Sequence, residues 1–361
     1  MDTPRPLPEP QPVPDLAAYL TERERALAFS PERRANWERF QASTRREIQP
    51  DYMPVRLDIE NVSRCNFRCT MCVVSHWPKG RRAEDMPLDD FKRLIDEQSG
   101  LVEIKIQGLG EPTIQGDAFF DMIRYARDRA IWVRVITNAS LLHLRDNYRK
   151  LIDSGVNEVQ ISFDGATKDV FESIRTGSVF ERVRDNCKLV NTYCRERGVD
   201  RTKMWTVVQR KNVHQVGELV ELGAEMGFRH LVFSLNLHDF GSEEWAAING
   251  PQSVENTFTD DMAWPHIERG RELGIDVYFW RQTSRYSTET AENLCPWPFE
   301  RAYVSSDLRI VPCCVLGNPQ HADLGDARAL TEAWNSETWR QFRQAHLDGR
   351  IPEVCRGCYH P

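Results

Sequence analysis

The sequence predicts an α/β fold: a partial (β/α)6 barrel with an N-terminal helical extension and a small C-terminal α+β domain. Short β-rich runs alternate with helix-like stretches, several of which end in glycine. This rhythm begins at Val55 and breaks near residue 290, after which five cysteines follow. We therefore expect a disordered Pro-rich leader over 1–14, the helical extension over 15–50, the barrel over 51–285 and the cysteine-rich domain over 286–361.

The elements follow in order along the chain. The N-terminal run MDTPRPLPEPQPVPD is typical of an extended or disordered leader. Residues 15–48 are charged and have helical periodicity, which predicts one or two amphipathic helices packed on the main body. Six β-rich runs, each followed by a helical segment, then predict parallel strands joined by right-handed crossovers. These predicted strands are 55–61, 102–108, 132–138, 158–165, 203–209 and 230–236.

Polar residues stand where each predicted strand ends. They are Asn61, Gln107, Asn138, Asp164, Gln209 and Asn236. Because chemistry in such folds collects at the carboxyl ends of the strands, we expect these residues near an active-site mouth. Polar residues also simply begin loops, and that interpretation stays open for each of them. The loop CNFRCTMC directly follows the first strand and is expected at the same mouth.

Composition and charge argue against several classes of protein. The net charge of -7 argues against a nucleic-acid partner. The chain has no run of about 18 apolar residues and no apolar segment behind a basic start, so we expect a cytoplasmic protein without a membrane partner. Ten cysteines without an export signal indicate metal binding rather than a disulfide framework.

Cys65, Cys69 and Cys72 form a loop with C-x3-C-x2-C spacing. Thiolates suit zinc or iron–sulfur clusters. A structural zinc site takes four protein ligands, and His76 could supply the fourth, so a Cys3His site stays an alternative. A [4Fe–4S] cluster held by three cysteines would instead leave one iron open to a non-protein ligand.

The loop resembles the C-x3-C-x-Φ-C motif of the radical S-adenosylmethionine (SAM) enzymes, where Φ is hydrophobic and here is Met71. Three further segments resemble that superfamily between about residues 55 and 240. Gly108-Leu109-Gly110-Glu111-Pro112 is similar to its Gly-Gly-Glu-Pro segment, Thr137-Asn138 to its Thr-Asn-Gly with Ala139 replacing Gly, and Ser162-Phe163-Asp164 to its Ser-x-Asp.

The resemblance implies cofactors and a chemistry. Cys65, Cys69 and Cys72 would hold a [4Fe–4S] cluster whose open iron chelates SAM, and reductive cleavage of SAM would give a 5′-deoxyadenosyl radical. The electron donor would be of flavodoxin or ferredoxin type. The residues implied in SAM binding are Gly108, Gly110, Glu111, Thr137, Asn138, Ser162, Asp164 and Arg175.

The tail resembles the SPASM/Twitch extension of the same superfamily. Cys295, Cys313, Cys355 and Cys358 correspond to its cysteines, and counting from Leu308, where the family has Gly, selects Cys313 over its neighbour Cys314. Without a further cysteine run, the tail resembles the single-auxiliary-cluster group that includes 2-deoxy-scyllo-inosamine dehydrogenase. This implies a second [4Fe–4S] cluster, closed by four cysteines and suited to electron transfer. A purely structural staple stays an alternative.

The resemblance favours oxidation of a small polar substrate, such as a sugar, aminocyclitol or polyol, with the auxiliary cluster as electron acceptor. The alternatives are an epimerase, a peptide-modifying enzyme whose helices at 15–48 grip the peptide, and a non-catalytic iron–sulfur or zinc protein. Cys187 and Cys194 lie on one face of a predicted helix, where core packing is favoured over a role as thiol hydrogen donor. Candidate catalytic or substrate-binding residues are Cys187, Cys314, Arg281, Gln209, Arg210, Asn236 and His238.

Overall fold

The structure is a computed structural model that describes residues 7–8, 16–281 and 286–359. The leader predicted over 1–14 therefore lies outside the described residues, apart from positions 7 and 8. The predicted boundary between barrel and tail, at residue 285, also lies outside them. No helix in these described ranges combines the length and the apolar character that crossing a membrane requires.

The strands follow one another through the barrel and the tail. They are β1 (Arg56–Ile59), β2 (Arg68–Cys69), β3 (Glu103–Ile106), β4 (Trp132–Thr137), β5 (Glu158–Ser162), β6 (Arg175–Thr176), β7 (Thr202–Val207), β8 (His230–Ser234), β9 (Asp276–Trp280), β10 (Arg301–Val304), β11 (Arg309–Val311) and β12 (Gly325–Asp326).

The α-helices occupy the connections between the strands and both ends of the described chain. They are α1 (Leu16–Phe29), α2 (Pro31–Ala42), α3 (Leu88–Glu97), α4 (Asp117–Asp128), α5 (Asn147–Asp153), α6 (Lys168–Ile174), α7 (Phe180–Glu196), α8 (Val216–Glu225), α9 (Glu243–Asn249), α10 (Asp260–Glu272), α11 (Trp297–Glu300), α12 (Leu330–Ala333) and α13 (Glu337–Leu347).

One sheet carries most strands, in the order β12-β11-β10-β1-β3-β4-β5-β7-β8-β9. All strands from β10 to β9 in this order run parallel, whereas β11 and β12 are antiparallel additions at one edge. The predicted α/β partial barrel is confirmed, and the six predicted strands are β1, β3, β4, β5, β7 and β8. The structure adds β9 as a seventh barrel strand. It also joins the tail to the barrel, because β10 pairs with β1 from Arg56↔Arg301 to Ile59↔Val304.

The alternation of side chains along the strands divides the barrel into an outer core and an inner face. On β3, Ile104 and Ile106 are fully buried in the same cluster as Phe91 of α3 and Phe119 of α4. Because successive side chains point to opposite faces of a sheet, the intervening Lys105 belongs to the inner face. The inner face is therefore polar, while the apolar core lies between the sheet and its helices.

The N-terminal helices close the end of the barrel opposite the cysteine loop. Tyr19 of α1 donates a hydrogen bond of 3.1 Å to Glu103 Oε2, and its ring packs edge-on against Trp132. Both partners are the first residues of their strands. Arg33 of α2 donates to the carbonyl oxygen of Arg129 at 2.7 Å, just before β4. The helical extension thus covers the amino-terminal ends of the strands.

Candidate active site at the carboxyl ends of the strands

The three-cysteine loop follows β1 and is anchored to the chain that follows α6. Cys69 pairs with Arg175 in the small β2–β6 ladder, and the N–H of Thr70 donates to the carbonyl oxygen of Ile174 at 2.9 Å. Burial raises the pKa of Cys65, and the nearby thiols of Cys69 and Cys72 raise it further. Three neighbouring thiols, one buried and two partly buried, would repel one another as thiolates, and a cationic iron–sulfur core would offset that repulsion.

His76 does not complete a zinc site with these cysteines. Its Nδ1 lies 3.1 Å from Glu244 Oε1, and its ring packs against Trp245. Among the described residues, no three His, Cys, Asp or Glu side chains converge closely enough to hold a single metal ion. The Cys3His alternative therefore finds no support in the position of His76.

The Gly-Leu-Gly-Glu-Pro segment packs directly on the backbone that leads into the cysteine loop. A Cβ on Gly110 would lie 2.4 Å from the carbonyl oxygen of Val62 and 2.5 Å from that of Arg64. A Cβ on Gly108 would lie 2.5 Å from Glu60 Cγ. The N–H of Glu111 donates to the carbonyl oxygen of Arg64 at 2.8 Å. Glycine is required at both positions because a larger residue would collide with the chain at residues 60–64. The segment is thus held against the backbone that leads into the cysteine loop.

Glu111 is buried and its carboxylate accepts four hydrogen bonds from the protein. Oε1 accepts from the N–H and the hydroxyl of Thr113, at 3.2 and 2.6 Å, and from the hydroxyl of Thr137 at 2.6 Å. Oε2 accepts from the N–H of Asn138 at 2.7 Å. Glu111 therefore joins the end of β4 to the segment after β3, which is a positioning role.

Asn138 reaches from the end of β4 to the cysteine loop. Its Nδ2 donates to Asn66 Oδ1 at 3.1 Å and lies 3.9 Å from the sulfur of Cys65. Ala139, which stands where the resembling motif has Gly, has a φ of 60°, in the left-handed region that favours glycine. The backbone of the motif is therefore kept although its glycine is replaced.

Asp164 and Arg175 form a buried pair beside the cysteines. Arg175 Nη2 lies 2.6 Å from Asp164 Oδ2, while Asp164 Oδ1 accepts the N–H of Val207 at 2.8 Å. Within the described chain, Nε of Arg175 is buried and has no hydrogen-bond partner. A buried guanidinium donor without a partner fits a site that receives a ligand carboxylate. Ser162, two residues before Asp164, ends β5 and is partly exposed.

The polar residues at the strand ends are brought together at one edge of the sheet, and all six are buried. Gln209 is 1 % exposed, and in the described part of the chain its Nε2 has no hydrogen-bond partner. Asn236 Nδ2 lies 3.2 Å from Nδ1 of His238, whose pKa is lowered by burial. All six residues follow the carboxyl ends of their strands, where the sequence analysis places them.

Other candidate residues have structural surroundings. Arg281 donates to the carbonyl oxygens of Glu255 and Phe258 and pairs with Asp260 at 3.0 Å, so its guanidinium braces the turn before α10. Arg210 is exposed. Cys187 and Cys194 are buried on α7 within the main hydrophobic core, as core packing predicts. The burial of Cys187 and Cys194 and the bonds of Arg281 are each accounted for by packing and bracing of the fold.

Four of the five tail cysteines neighbour one another, whereas the thiol of Cys314 has different surroundings. Burial is the main cause that raises the pKa of Cys313, and the neighbouring thiols of Cys314, Cys355 and Cys295 raise it further. Cys355 is likewise next to Cys295 and Cys358. Cys314 instead accepts a hydrogen bond from Gln107 and lies beside Asp58, on the inner face of the barrel. Cys295, Cys313, Cys355 and Cys358 are thus neighbours of one another, and this is the set that the count from Leu308 selects. Four thiols in one group are of the kind that a closed iron–sulfur cluster would need.

Sequence reasoning missed the inner face itself. Asp58, Lys105 and Tyr303 are adjacent across β1, β3 and β10. Gln107 donates a hydrogen bond to Asp58 Oδ2. The signal was present in the strand sequences RLDI and EIKI, where charged residues alternate with fully buried apolar ones. Such alternation in a strand covered by helices indicates a polar lumen.

A partial α/β barrel with a three-cysteine loop at its mouth and four clustered cysteines in its tail defines a class of iron–sulfur proteins. Residues 61–223 match the family model of the radical SAM superfamily, and residues 295–359 match that of an iron–sulfur cluster-binding domain, SPASM. The chain thus contains a radical SAM domain and a SPASM iron–sulfur domain. These domains imply a [4Fe–4S] cluster, SAM and auxiliary iron–sulfur binding, as expected from the sequence.

Similar proteins cover most of the chain. The PqqA peptide cyclase of Bradyrhizobium diazoefficiens is 23 % identical over 85 % of this chain and 79 % of its own length. The tungsten-containing aldehyde ferredoxin oxidoreductase cofactor-modifying protein of Pyrococcus furiosus is 26 % identical over 80 % and 82 %. The structure of Streptococcus suis SuiB bound to precursor peptide SuiA has a TM-score of 0.63 at 16 % identity, over 80 % of this chain and 66 % of SuiB. This last likeness shows the fold alone. None of these relatives supports the expectation of a sugar or polyol substrate.

Proposed function

We propose that this protein is a radical SAM enzyme that modifies a peptide. The observation that carries the proposal is the similarity to a peptide cyclase along 85 % of the chain. The fold shared with a structure that holds a precursor peptide adds support. Peptide modification, the alternative considered from the sequence, is thereby favoured over oxidation of a small polyol.

The residues at the mouth have distinct roles in this proposal. Cys65, Cys69 and Cys72 would hold the cluster, and the cluster with SAM would supply a radical able to take a hydrogen atom from unactivated carbon. The close packing of Gly108 and Gly110 on the loop presents backbone groups of that segment to SAM. Supporting evidence for these contacts is that the segment is fixed to the loop through the carbonyl oxygen of Arg64.

The remaining SAM contacts come from β4, β5 and β6. Asn138 Nδ2 lies between the loop and the mouth, and Ser162 and Thr137 stand at the ends of their strands. Arg175 is paired with Asp164 and lies near Cys69, and its buried Nε has no hydrogen-bond partner among the described residues. We assign Arg175 to the SAM carboxylate, because a bidentate guanidinium is well suited to that group.

In the tail we propose a single auxiliary cluster with Cys295, Cys313, Cys355 and Cys358 as ligands. The tail packs against the mouth: a Cβ on Gly241 would lie 2.7 Å from Leu316 Cδ2, and one on Gly357 would lie 2.6 Å from Asp239 Oδ2. Asp239 and Gly241 lie in the loop after β8, whereas Leu316 and Gly357 lie next to the tail cysteines. This proximity supports a role in electron transfer rather than a distant staple. The helices at 16–42 have a different position, because they close the opposite end of the barrel. We therefore do not assign them the binding of a peptide at the mouth.

The test is a product analysis under anaerobic conditions. Reconstituted enzyme, SAM and dithionite are incubated either with small peptides encoded beside the gene or with a mixture of cyclitols and aminosugars. We expect 5′-deoxyadenosine in both and a mass change, such as loss of two hydrogen atoms, in a peptide alone. Cys72→Ala should abolish both signals, whereas Cys194→Ala, in the core, should not. Conversion of a cyclitol to its ketone with no change in any peptide would overturn the proposal.

A further inference from the structure

The inner face of the barrel carries a series of ion pairs, called here the ion-pair ladder, near the amino-terminal ends of the strands. Glu103 Oε2 lies 3.3 Å from Arg56 Nε, and Glu103 Oε1 lies 3.2 Å from Arg134 Nε. Glu158 lies 3.5 Å from Arg134 and 2.5 Å from Lys203. Each cation of this ladder therefore has a carboxylate within ion-pair distance. Burying a charge is costly unless it is paired, so this arrangement is the expected one.

Lys105 lies on the same face, nearer the mouth, and differs from these cations: the charge of Asp58 on β1 acts on it, but no carboxylate of the described residues lies within ion-pair distance. Its register neighbours are Asp58 on β1 and Arg134 on β4. No hydrogen bond or ion pair within 4.0 Å involves its Nζ in the described residues. Asp58, its nearest carboxylate in register, instead accepts a hydrogen bond from Gln107. Lys105 is partly exposed although it lies in the middle of a sheet covered by helices, so the lumen beside it is open.

Two further donors on this face have no partner among the described residues. Tyr303, which is Asp58's register neighbour on β10, is 1 % exposed and its hydroxyl makes no hydrogen bond. Gln209 at the end of β7 has an unpartnered Nε2. Buried donors in a folded protein are normally satisfied by protein, water or ligand. Lys105 and Tyr303 flank Asp58 across β3, β1 and β10, and Gln209 adds an amide donor at the end of β7. Donors of this kind fit an anionic acceptor such as a carboxylate.

The opposite wall of the lumen is aromatic. Trp205 on β7 and Trp280 on β9 have ring centroids 5.8 Å apart, and Tyr278 alternates onto the same face as Trp280. All three are partly exposed. The lumen therefore has one cationic and hydrogen-bonding wall and one wall suited to apolar or aromatic groups.

We propose that Lys105 binds a carboxylate of the substrate, with the aromatic wall packing on a neighbouring apolar group. This rests on the proposed function, and in a peptide the carboxylate is that of an acidic side chain. Lys105 precedes Gly108 along β3 and is therefore deeper in the barrel than the SAM-contact segment. Its place on the inner face separates it from Arg175, which lies beside the cysteines, so the two cations serve different carboxylates.

The experiment compares matched probes on the anaerobic holoenzyme. Binding of acetyl-Tyr-Glu-Tyr-amide, of the same peptide with Gln for Glu, and of free glutarate is measured by isothermal titration in the presence of SAM. Wild type should bind the Glu peptide about tenfold or more tightly than the Gln peptide, since a desolvated charge pair contributes at least that factor. Lys105→Met should remove the difference, Lys105→Arg should keep most of it, and the exposed Lys188→Met should leave it unchanged.

The outcomes separate this inference from the proposed function. Equal binding of the two peptides by wild type, or discrimination that survives in Lys105→Met, overturns the role of Lys105 but leaves peptide modification standing. Failure of every probe to bind wild type also overturns it. Binding of glutarate that depends on Lys105, without binding of the Glu peptide, supports the carboxylate site and removes the peptide as its source. Loss of SAM affinity in Lys105→Met would assign the residue to SAM and overturn the inference.

Discussion

Replacing Glu111 by glutamine tests whether one buried carboxylate holds the SAM-contact segments together. The carboxylate accepts four hydrogen bonds, three at Oε1 and one, from the N–H of Asn138, at Oε2. Glutamine can keep the three bonds at its oxygen. Its NH2 group must then face the N–H of Asn138, so two donors oppose each other in a buried site.

The expected loss follows from that geometry. A buried donor left without an acceptor costs about 1–3 kcal/mol, and hydrogen bonds to a neutral amide are weaker than those to a carboxylate. Relief of the desolvation cost that raises the pKa of Glu111 offsets part of this. We expect the free energy of unfolding to fall by about 2 kcal/mol. Because Asn138 contacts the cysteine loop, the Kd for SAM should also rise, by about tenfold.

Anaerobic urea unfolding followed by tryptophan fluorescence gives the stability, and equilibrium dialysis gives the Kd for SAM. The matched control is Glu272→Gln, which alters an exposed pair with Arg269 and should change stability by less than about 0.5 kcal/mol. If Glu111→Gln unfolds within about 0.5 kcal/mol of wild type, the four hydrogen bonds do not hold the mouth in place and the positioning role is refuted.

Three further predictions follow from individual residues. Cys313→Ser should lower the iron content by about four per chain while Cys314→Ser should not; equal losses would contradict the assignment. Leu308→Gly should be about 1 kcal/mol more stable than Leu308→Ala in urea unfolding, reversing the usual order, because Leu308 is in the left-handed region at φ 62°. Burial raises the pKa of Glu103, but Arg134 and Arg56 outweigh it and lower the pKa from 4.5 to about 2. The ionised carboxylate therefore stabilises the fold above pH 4.5 and this stabilisation is lost toward pH 2. Glu103→Gln should accordingly cost about 3 kcal/mol at pH 7 and progressively less below pH 4.5, and a pH-independent cost would count against the ion-pair ladder.

Local patterns were sufficient to predict the barrel, because each strand and its helix carry their own periodicity and stop signals. The strand Asp276–Trp280 was missed because more than one helix separates it from β8, which hides the βα rhythm. The pairing of β10 with β1 joins residues at opposite ends of the chain. Such a contact depends on the whole fold and leaves no local signal.

The grouping of Cys65, Cys69 and Cys72 was predictable because spacing alone places three thiols on one loop. The surroundings of Arg281 were not, since its acceptors are carbonyl oxygens of a turn more than 20 residues away. Lys105 was missed for a different reason. A lysine in a strand normally indicates a solvent-facing side, and only closure of the sheet turns that side into a lumen.

Leu109 gives a physical account of why this chain departs from the Gly-Gly-Glu-Pro pattern. Its side chain packs with Val73 just after the cysteine loop and with Trp245 of α9. A Cβ on Gly317, four residues after Cys313, would lie 3.0 Å from Leu109 Cδ1. One side chain thus contacts the cluster loop, the segment that would hold SAM and the turn beside the tail cysteines. The larger side chain at this position is therefore explained by packing, because it fills the contact between the loop after β8, the chain after the cysteine loop and the turn beside the tail cysteines.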